Sequence, residues 1–251
     1  MNIHGHLRLF AFLIAMMPLH TFAQHTRQAL LEPRAGDYNL RGAVKEMVVR
    51  QHYEGGNDVD FQETYSFGKE GMLREYVKQG FGGRRVTSYP LQLIDLEGDA
   101  ERPSRRYTFA DDGDLLELRQ YDRQGRLYTT THCIYAAGGY LAQTVEYAYD
   151  ASSGGVTKRT VSLYDKHSRL VTVEQYSADE LLLWSEKRAY DRRGNLKRRV
   201  QTFFGDDGTE TTDERRSYTY DSCGNWTQCR YTLNGKAMYT IEREIEYYGE
   251  K

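Results

Sequence analysis

Four aromatic side chains in the C-terminal half of the sequence are the best candidates for binding chemistry: Trp184, Tyr190, Tyr220 and Trp226. Arg and Asn residues are interleaved with them, as in "RAYDRRGNLKRR" at 188–199. Aromatic rings stack on guanidinium groups and on the flat faces of sugars, and a sheet that presents them can also accept a partner's strand. We therefore treat these four residues as candidate ligand-binding residues, with packing within a sheet as the competing role.

Groups suited to catalysis carry less information. Two carboxylates ~5–9 Å apart can hydrolyse a glycosidic bond, but 36 Asp and Glu residues make such pairs common by chance. No GxSxG elbow, P-loop or dinucleotide fingerprint is present. The stretch "GFGGRR" (80–85) is only superficially similar to a phosphate loop, because no predicted helix follows it. We expect no enzyme and no catalytic residue, and an envelope glycoside hydrolase with an unrecognised carboxylate pair is the alternative.

Metal, cofactor and nucleic-acid sites are not expected either. His132 and Cys133 are neighbours on a predicted strand, so their side chains point to opposite faces. The acidic stretches "ADDGDL" (110–115) and "FGDDGTETTDE" (204–214) lack the spacing of a calcium loop. The formal net charge of −2 gives no electrostatic reason to expect a nucleic acid.

A repeated unit must position these residues. "YDRQGRL" (121–127), "YDRRGNL" (190–196) and "YDSCGNW" (220–226) are its best copies, and from Phe109 onward the leading aromatics recur every 12 to 16 residues. An Asp that opens a type I turn accepts backbone N–H groups, and a Gly three residues later takes the left-handed conformation that closes the turn with a bulge. The predicted turn residues are Asp122, Gly125, Asp191, Gly194, Asp221 and Gly224. The copies with Ser168 and Glu180 lack the Gly, so we expect looser or different turns there.

The segments between turns have strand composition. They are rich in Thr, Val, Ile and Tyr, and "IEREIEYY" (241–248) alternates, with Ile241, Arg243, Ile245 and Tyr247 on one face and Glu on the other. The stretch "SADELLLWSEKRAY" (177–190) is the one serious helix candidate, but its place in the period favours a strand. With 16 Tyr residues and few aliphatic ones in 104–251, these segments predict a long antiparallel meander of β-hairpin repeats. We expect an elongated or curled, largely solvated sheet with cross-strand ladders of Tyr, Arg, Lys and Glu; a closed barrel is the alternative.

The N-terminus has the pattern of a secretory signal peptide. An apolar run from Leu9 to Met17 is followed by small residues that place cleavage between Ala23 and Gln24. The run is too short to span a bilayer of ~30 Å, although an uncleaved anchor is the alternative. We expect a signal peptide over 1–23, a less regular β region over 24–103 and a repeat region over 104–251 that continues the same sheet. The sequence thus predicts an exported bacterial protein, periplasmic or secreted, with no stable membrane span after cleavage.

The three cysteines, Cys133, Cys223 and Cys229, are an odd set. In an exported protein Cys223 and Cys229 are the nearest pair for a disulfide. Cys223 falls inside a predicted turn, and the spacing does not require a bridge, so three free thiols are favoured.

The best repeat units resemble the YD (Rhs-type) repeats of bacterial surface and secreted proteins. "LRGAVKEM" (40–47) and "EREIEYY" (242–248) are also similar to short exported YD-repeat proteins of uncharacterised role. The resemblance covers roughly 40–248 and implies an all-β repeat sheet. In that family long chains curl into shells around a toxin, and YD repeats have been linked to carbohydrate binding. About fifteen strands are too few to enclose a cargo domain, so we do not expect the shell role here.

These observations predict a non-catalytic exported β-repeat protein that acts as a binding or scaffold module at the cell envelope. Its ligand would be a glycan or a protein. A further hypothesis is an assembly subunit that self-associates through edge strands, in particular through the terminal strand 238–248.

Overall fold

A computed structural model describes residues 30, 33–53, 61–80, 83–91, 97–98 and 104–249. These residues form one antiparallel sheet of 15 strands, preceded by a 3-10 turn over Ala35–Tyr38. The predicted all-β meander is confirmed. The predicted signal peptide, with its cleavage site at Ala23 and Gln24, lies outside the described residues.

The strands follow one another in hairpins along the chain. They are β1 (Val44–Tyr53), β2 (Phe61–Phe67), β3 (Leu73–Gly80), β4 (Gly83–Ser88), β5 (Arg105–Phe109), β6 (Leu115–Tyr121), β7 (Leu127–Tyr135), β8 (Leu141–Tyr149), β9 (Val156–Tyr164), β10 (Leu170–Ser177), β11 (Leu182–Tyr190), β12 (Leu196–Gly205), β13 (Gly208–Tyr220), β14 (Trp226–Leu233) and β15 (Lys236–Tyr247). From Leu182 onward, the ambiguous stretch at 177–190 is thus strand β11.

The order of the strands departs from a simple meander at one place. β15 lies between β14 and β1, so β1–β4 and β5–β15 join into a single sheet whose edges are β4 and β5. Ile241 of β15 lies opposite Cys229 on one side and Gln51 on the other. The terminal strand 238–248 is therefore not an edge of the sheet, because both of its ladders are paired; self-association of the protein stays a prediction.

The hairpin turns have the geometry that the YD units require. At 191–194 the Gly194 N–H donates to the Asp191 carbonyl at 3.1 Å, Asp191 N–H donates to the Asn195 carbonyl at 2.8 Å, and Gly194 has φ 87°. Gly125 and Gly224 are equally left-handed, with φ 78° and 84°.

The turns without Gly are a correction to the sequence analysis. Ser168 and Glu180 also have positive φ, 55° and 59°, and they make the same pair of backbone hydrogen bonds as the Gly turns. A non-Gly residue tolerates this conformation at a modest energetic cost when the flanking strands fix the hairpin. The turn type is therefore retained, and the looser turns expected at these positions are not found.

The chain connection between the two edges shows that the sheet is curled. A flat sheet of 15 strands would hold β4 and β5 about 67 Å apart, at ~4.8 Å per strand. Tyr89 N–H donates to the Arg74 carbonyl of β3, and Glu97 accepts N–H groups of Ser104 and Tyr107 beside β5. The eight-residue step from Tyr89 to Glu97 spans at most about 28 Å. The two edges are therefore brought together by curling, although the sheet does not close by pairing them.

The segment 33–42 identifies the concave side of this curl. Ala35 N–H donates to Gly71 in the β2–β3 turn, Asn39 Nδ2 donates to Asn195 in the β11–β12 turn, and Arg41 N–H donates to the Asn225 side chain in the β13–β14 turn. Six strand spacings, about 29 Å of arc, separate the first turn from the second. The four-residue step from Ala35 to Asn39 covers at most ~14 Å of backbone. The segment 33–42 therefore takes the shorter path across the inside of the curl, which is the concave side of the sheet.

The main apolar core lies beneath this crossing segment, at the end of the sheet that we call the capped rim. Its buried residues are Ala35, Tyr38, Leu40, Val44, Met47, Val49, Tyr65, Phe67, Leu73 and Tyr247. Because Met47 and Tyr65 lie directly opposite each other on neighbouring strands, they mark the face of β1 and β2 that is concave. The same cross-strand pairing carries this face through β15 and β14 to β13, β12 and β11.

Candidate functional site: the concave face

The concave face of β11 carries the chemistry that the sequence analysis singled out. Trp184, Glu186, Arg188 and Tyr190 alternate along the strand and share one face. Arg188 lies opposite Arg199 of β12, which lies opposite Glu214 of β13. Pairing of these three strands therefore brings together charged side chains that are 11 to 28 residues apart in the sequence.

These charges form an arginine–glutamate belt across β11–β13, made of Arg188, Glu186, Arg199, Glu214 and Arg216. Arg188 contacts Glu186, Arg199 contacts Glu214, and Arg216 Nε lies 2.6 Å from Glu214 Oε1. Both glutamates are 2 % exposed. Positive and negative side chains alternate in the belt, and their attraction compensates the cost of removing these charges from water. The belt is therefore buried, unlike the solvated ladder of charged side chains that we expected.

Glu63 of β2 is held differently. The Tyr65 hydroxyl donates to Glu63 Oε2 at 2.9 Å, and the Tyr76 hydroxyl donates to the other oxygen. Burial and the neighbouring carboxylate raise the pKa of Tyr65 well above its usual value, which keeps this hydroxyl protonated as a donor.

Arg243 of β15 differs from the other buried arginines of this face because it has no carboxylate within ion-pair distance among the described residues. Its guanidinium carbon lies 3.5 Å from the centroid of the Trp226 ring, and its Nε and Nη1 atoms are buried without a hydrogen-bond acceptor. The residue is 5 % exposed. Burial lowers the pKa of Arg243 to about 10, so the side chain stays charged at neutral pH.

Sequence reasoning missed Arg243 as a functional candidate, although a signal was present. The alternation of "IEREIEYY" places Arg243 among Ile241, Ile245 and Tyr247 on an apolar face, where a charge needs a partner. The belt residues gave no comparable signal, because their pairing depends on strand register.

Two tyrosines at the capped rim link one turn to the preceding turn at the same rim. The Tyr220 hydroxyl donates to Asp191 Oδ2 at 2.8 Å and accepts from Asn195 Nδ2 at 3.1 Å. The Tyr247 hydroxyl repeats this arrangement one unit later, with Asp221 at 2.5 Å and Asn225 at 2.6 Å. In these two cases a tyrosine thus binds the acid of the preceding YD turn at the same rim.

Two of the four candidate aromatics belong to this rim. The Tyr190 hydroxyl donates to the Leu170 carbonyl at 2.6 Å, and Arg169 lies 4.9 Å from its ring centroid. Arg193 lies 3.9 Å from the ring centroid of Tyr220. Guanidinium groups therefore already stack on both rings, and both residues pack the rim.

The two tryptophans differ in their availability. Trp226 is 6 % exposed and carries the Arg243 guanidinium on its ring, so it is a packed residue and not the open stacking surface that we expected. Trp184 is half-buried, and its ring centroid lies 6.3 Å from that of Phe203, its cross-strand partner. Trp184 is the candidate that a ligand on the concave face can reach most readily.

The buried carboxylates of the belt and the cysteines are the remaining groups with reactive chemistry on the described strands and turns. Glu186 and Glu214, the buried carboxylates of the belt, are both occupied by guanidinium groups. No group of three His, Cys, Asp or Glu side chains that could hold a metal ion occurs in the described part of the chain. Cys133, Cys223 and Cys229 are unbridged. Within the described ranges no helix is long and apolar enough to cross a membrane.

Comparison with known proteins shows a fold and no family. No protein-family model and no curated protein matches the sequence. A porin-like protein from Bacteroides uniformis matches with a TM-score of 0.52 at 15% identity, covering 82% of this chain and 99% of that chain. A porin-like protein from Bacteroides vulgatus gives a TM-score of 0.45 at 12% identity, with the same coverage. This chain therefore shares its overall β architecture with the first of these proteins.

Proposed function

We propose that this protein is an exported, non-catalytic binding module of the bacterial cell envelope and that its ligand is held on the concave face. One observation carries the proposal: a single curled sheet places Trp184 and Phe203 on the same concave surface as four arginines, which are Arg188, Arg199, Arg216 and Arg243. A surface of this shape gives a ligand contacts from several strands at once, with aromatic and polar groups converging.

The convex face supports this assignment by contrast. It carries ion pairs at the surface, including Lys45 with Glu246, Arg50 with Glu244 and Arg198 with Asp213. Such pairs suit a face in contact with water and contribute little specificity. Trp184 and Phe203 lie on the opposite, concave face.

A glycan is the ligand class that the site fits best. Trp184 and Phe203 form an adjacent aromatic pair, and Gln201 and Gln175 lie next to them in the cross-strand register. Aromatic rings combined with amides and guanidinium groups match the flat faces and hydroxyl groups of sugars. The resemblance to YD repeats, which have been linked to carbohydrate binding, points the same way, and an envelope protein is the other partner class. The signal-peptide pattern at 1–23 and the fold shared with a porin-like protein support an envelope location.

The test is a titration of the purified protein with a panel of glycans and envelope polysaccharides, followed by intrinsic tryptophan fluorescence. Saturable binding is expected to weaken at least tenfold in Trp184→Ala, which removes the stacking surface. Phe204→Ala is the matched control, because Phe204 lies next to Phe203 on the same strand but is 39% exposed on the other face. Circular dichroism establishes that both variants are folded.

Two outcomes would count against the proposal. Equal loss of binding in Trp184→Ala and Phe204→Ala would show that the concave face is not the binding face. The absence of binding across the panel would exclude the glycan ligand and direct the same comparison to envelope proteins.

A further inference from the structure

Arg243 is a buried charge that the fold does not explain. A guanidinium group has five N–H donors and no acceptor, and its burial is unfavourable unless the donors are paired. Nε and Nη1 of Arg243 have no acceptor, and no carboxylate lies within ion-pair distance among the described residues. Stacking on Trp226 fixes the plane of the group without satisfying these donors.

The surrounding acids are already committed to other partners. Glu186 and Glu214 are paired with arginines of the belt, and Glu63 accepts hydrogen bonds from two tyrosine hydroxyls. Arg188, Arg199 and Arg216 each contact a glutamate of the belt, whereas Arg243 has no carboxylate within ion-pair distance among the described residues. The charge of Arg243 is therefore left without a paired counterion.

Arg243 lies close to Arg216 on the concave face. Tyr218 and Cys229 lie opposite each other on β13 and β14, between Arg243 and Arg216. Arg216 uses Nε for Glu214, while its side chain is 21% exposed. The two arginines therefore lie on either side of Tyr218 and Cys229 on the concave face. Arg216 is the more exposed of the two.

We propose that Arg243 binds an anionic oxygen group, a carboxylate, sulfate or phosphate, of the ligand that the concave face holds. This inference rests on the proposed function, since it names the chemistry of the ligand at the same surface. An acceptor placed at Nε or Nη1 would satisfy a buried donor and neutralise the unmatched charge. Charge-assisted hydrogen bonds of this kind are stronger than neutral ones.

The anionic group could be a free small anion or an acidic group of a glycan, and two probes distinguish these sources. The first is sodium sulfate, compared with sodium chloride at equal ionic strength and followed by thermal unfolding. The second is an oligogalacturonate, compared with the same oligosaccharide after reduction of its carboxyl groups. Because sulfate stabilises folded proteins in general by exclusion from their surface, a sulfate preference identifies a small-anion site only where Arg243→Met removes it. A preference for the carboxylated oligosaccharide identifies an acidic glycan.

The decisive variant is Arg243→Met, with Arg230→Met as the matched control. Arg230 is exposed and belongs to the adjacent strand, where Thr240 on the other face of β15 lies opposite it. We expect at least tenfold weaker binding of the preferred anion in Arg243→Met and unchanged binding in Arg230→Met. Because Met removes an unpaired buried charge while filling similar volume, the anion-free variant should unfold at the same or a higher temperature than the original protein. Arg243→Lys, which retains the charge, should retain part of the anion preference.

Three results would overturn the inference. One is equal anion binding by Arg243→Met and the original protein. Another is the absence of any anion preference in the original protein. The third is a clearly lower unfolding temperature of Arg243→Met, combined with an Arg243→Lys variant that regains the stability but shows no response to anions. Trp184-dependent binding of the neutral oligosaccharide alongside any of these would leave the proposed function standing, whereas no binding of either oligosaccharide or sulfate would oppose both proposals.

Discussion

The Asp residue of the YD unit uses its two carboxylate oxygens for different purposes. In Asp191, Oδ1 accepts the N–H groups of Arg193 and Asn195 within the turn. Its Oδ2 accepts a hydrogen bond from the hydroxyl of Tyr220, which belongs to the next YD turn at the same rim. Although burial opposes ionisation, these hydrogen bonds outweigh it and hold the pKa of Asp191 below its usual value. One residue therefore closes its own hairpin and links it to a neighbouring one.

Asp191→Asn is predicted to lower the stability of the protein at neutral pH by about 1–2 kcal/mol, because charge-assisted hydrogen bonds are replaced by neutral ones. The folded-state pKa lies below the unfolded value near 3.9, so the stabilisation by the carboxylate is present above pH ~4 and is lost as the pH falls below it. The difference between the variant and the original protein should therefore shrink at pH 3. Urea unfolding at pH 7 and pH 3 measures it.

Asp122→Asn is the control for this prediction. Asp122 makes the same turn hydrogen bonds, but its second oxygen accepts the exposed Arg126 side chain instead of a tyrosine. An exposed pair contributes little, so the loss should be smaller. An equal loss in the two variants would show that the link to Tyr220 contributes nothing.

At the scale of the element, the hairpin turn tolerates more sequences than its Gly suggests. Gly194 and Ser168 occupy the same left-handed position in equivalent turns, with φ 87° and 55°. Ser168 also gains a compensating contact, since its hydroxyl accepts the Leu141 N–H at 3.1 Å. The strands on either side thus determine the turn as much as the turn residue does.

Gly194→Ala is predicted to destabilise the protein by about 1 kcal/mol through its backbone conformation alone. A Cβ at this position would meet its nearest atom, Arg169 Nη1, only at 3.8 Å, so no steric clash adds to this effect. Gly36→Ala is the matched control, because Gly36 is not left-handed and a Cβ there meets no atom within 4 Å. Thermal unfolding of both variants tests this, and a loss in Gly36→Ala as large as in Gly194→Ala would contradict it.

At the scale of the whole molecule, the pairing of the terminal strand with the first strand creates the concave face. Once β15 lies between β14 and β1, the short connection from Tyr89 to Glu97 must join the opposite edges β4 and β5. The edges carry Arg84, Arg85, Arg105 and Arg106, all exposed. Like charges oppose the pairing of one edge with another, and edge-to-edge self-association stays a prediction.

The curl predicts a short distance between the edges. Spin labels attached at Ser88 of β4 and Thr108 of β5 should lie less than about 40 Å apart, allowing for the connection and the label linkers. A flat sheet would hold them near 67 Å. Double electron–electron resonance distinguishes these values, and labels at Ser88 and Arg74, on neighbouring strands, supply the short-distance reference. A distance near that of a flat sheet would exclude the concave face and the proposals that depend on it.

The part of the candidate site that the sequence predicts is set by how far apart along the chain the interacting residues lie. The sequence placed Trp184, Tyr190, Tyr220 and Trp226 in strands or beside turns, whereas their position on one side of the sheet follows from strand pairing. Their availability could not be predicted, because it depends on Arg243, Arg193 and Arg169 from other strands or turns. Those contacts require knowledge of strand order and register.

The sequence by itself determined the all-β class, the hairpin period and the turns, because Asp, Gly and the flanking aromatics act within about seven residues of one another. Only the tertiary structure decided that β15 pairs with β1, how far the sheet curls and which face is concave. These properties depend on contacts between residues nearly 200 positions apart, such as Ile241 with Gln51. A period-two alternation defines two faces of a sheet without saying which one turns inward. For the same reason, the unpaired charge of Arg243 became visible only when the neighbouring strands were in place.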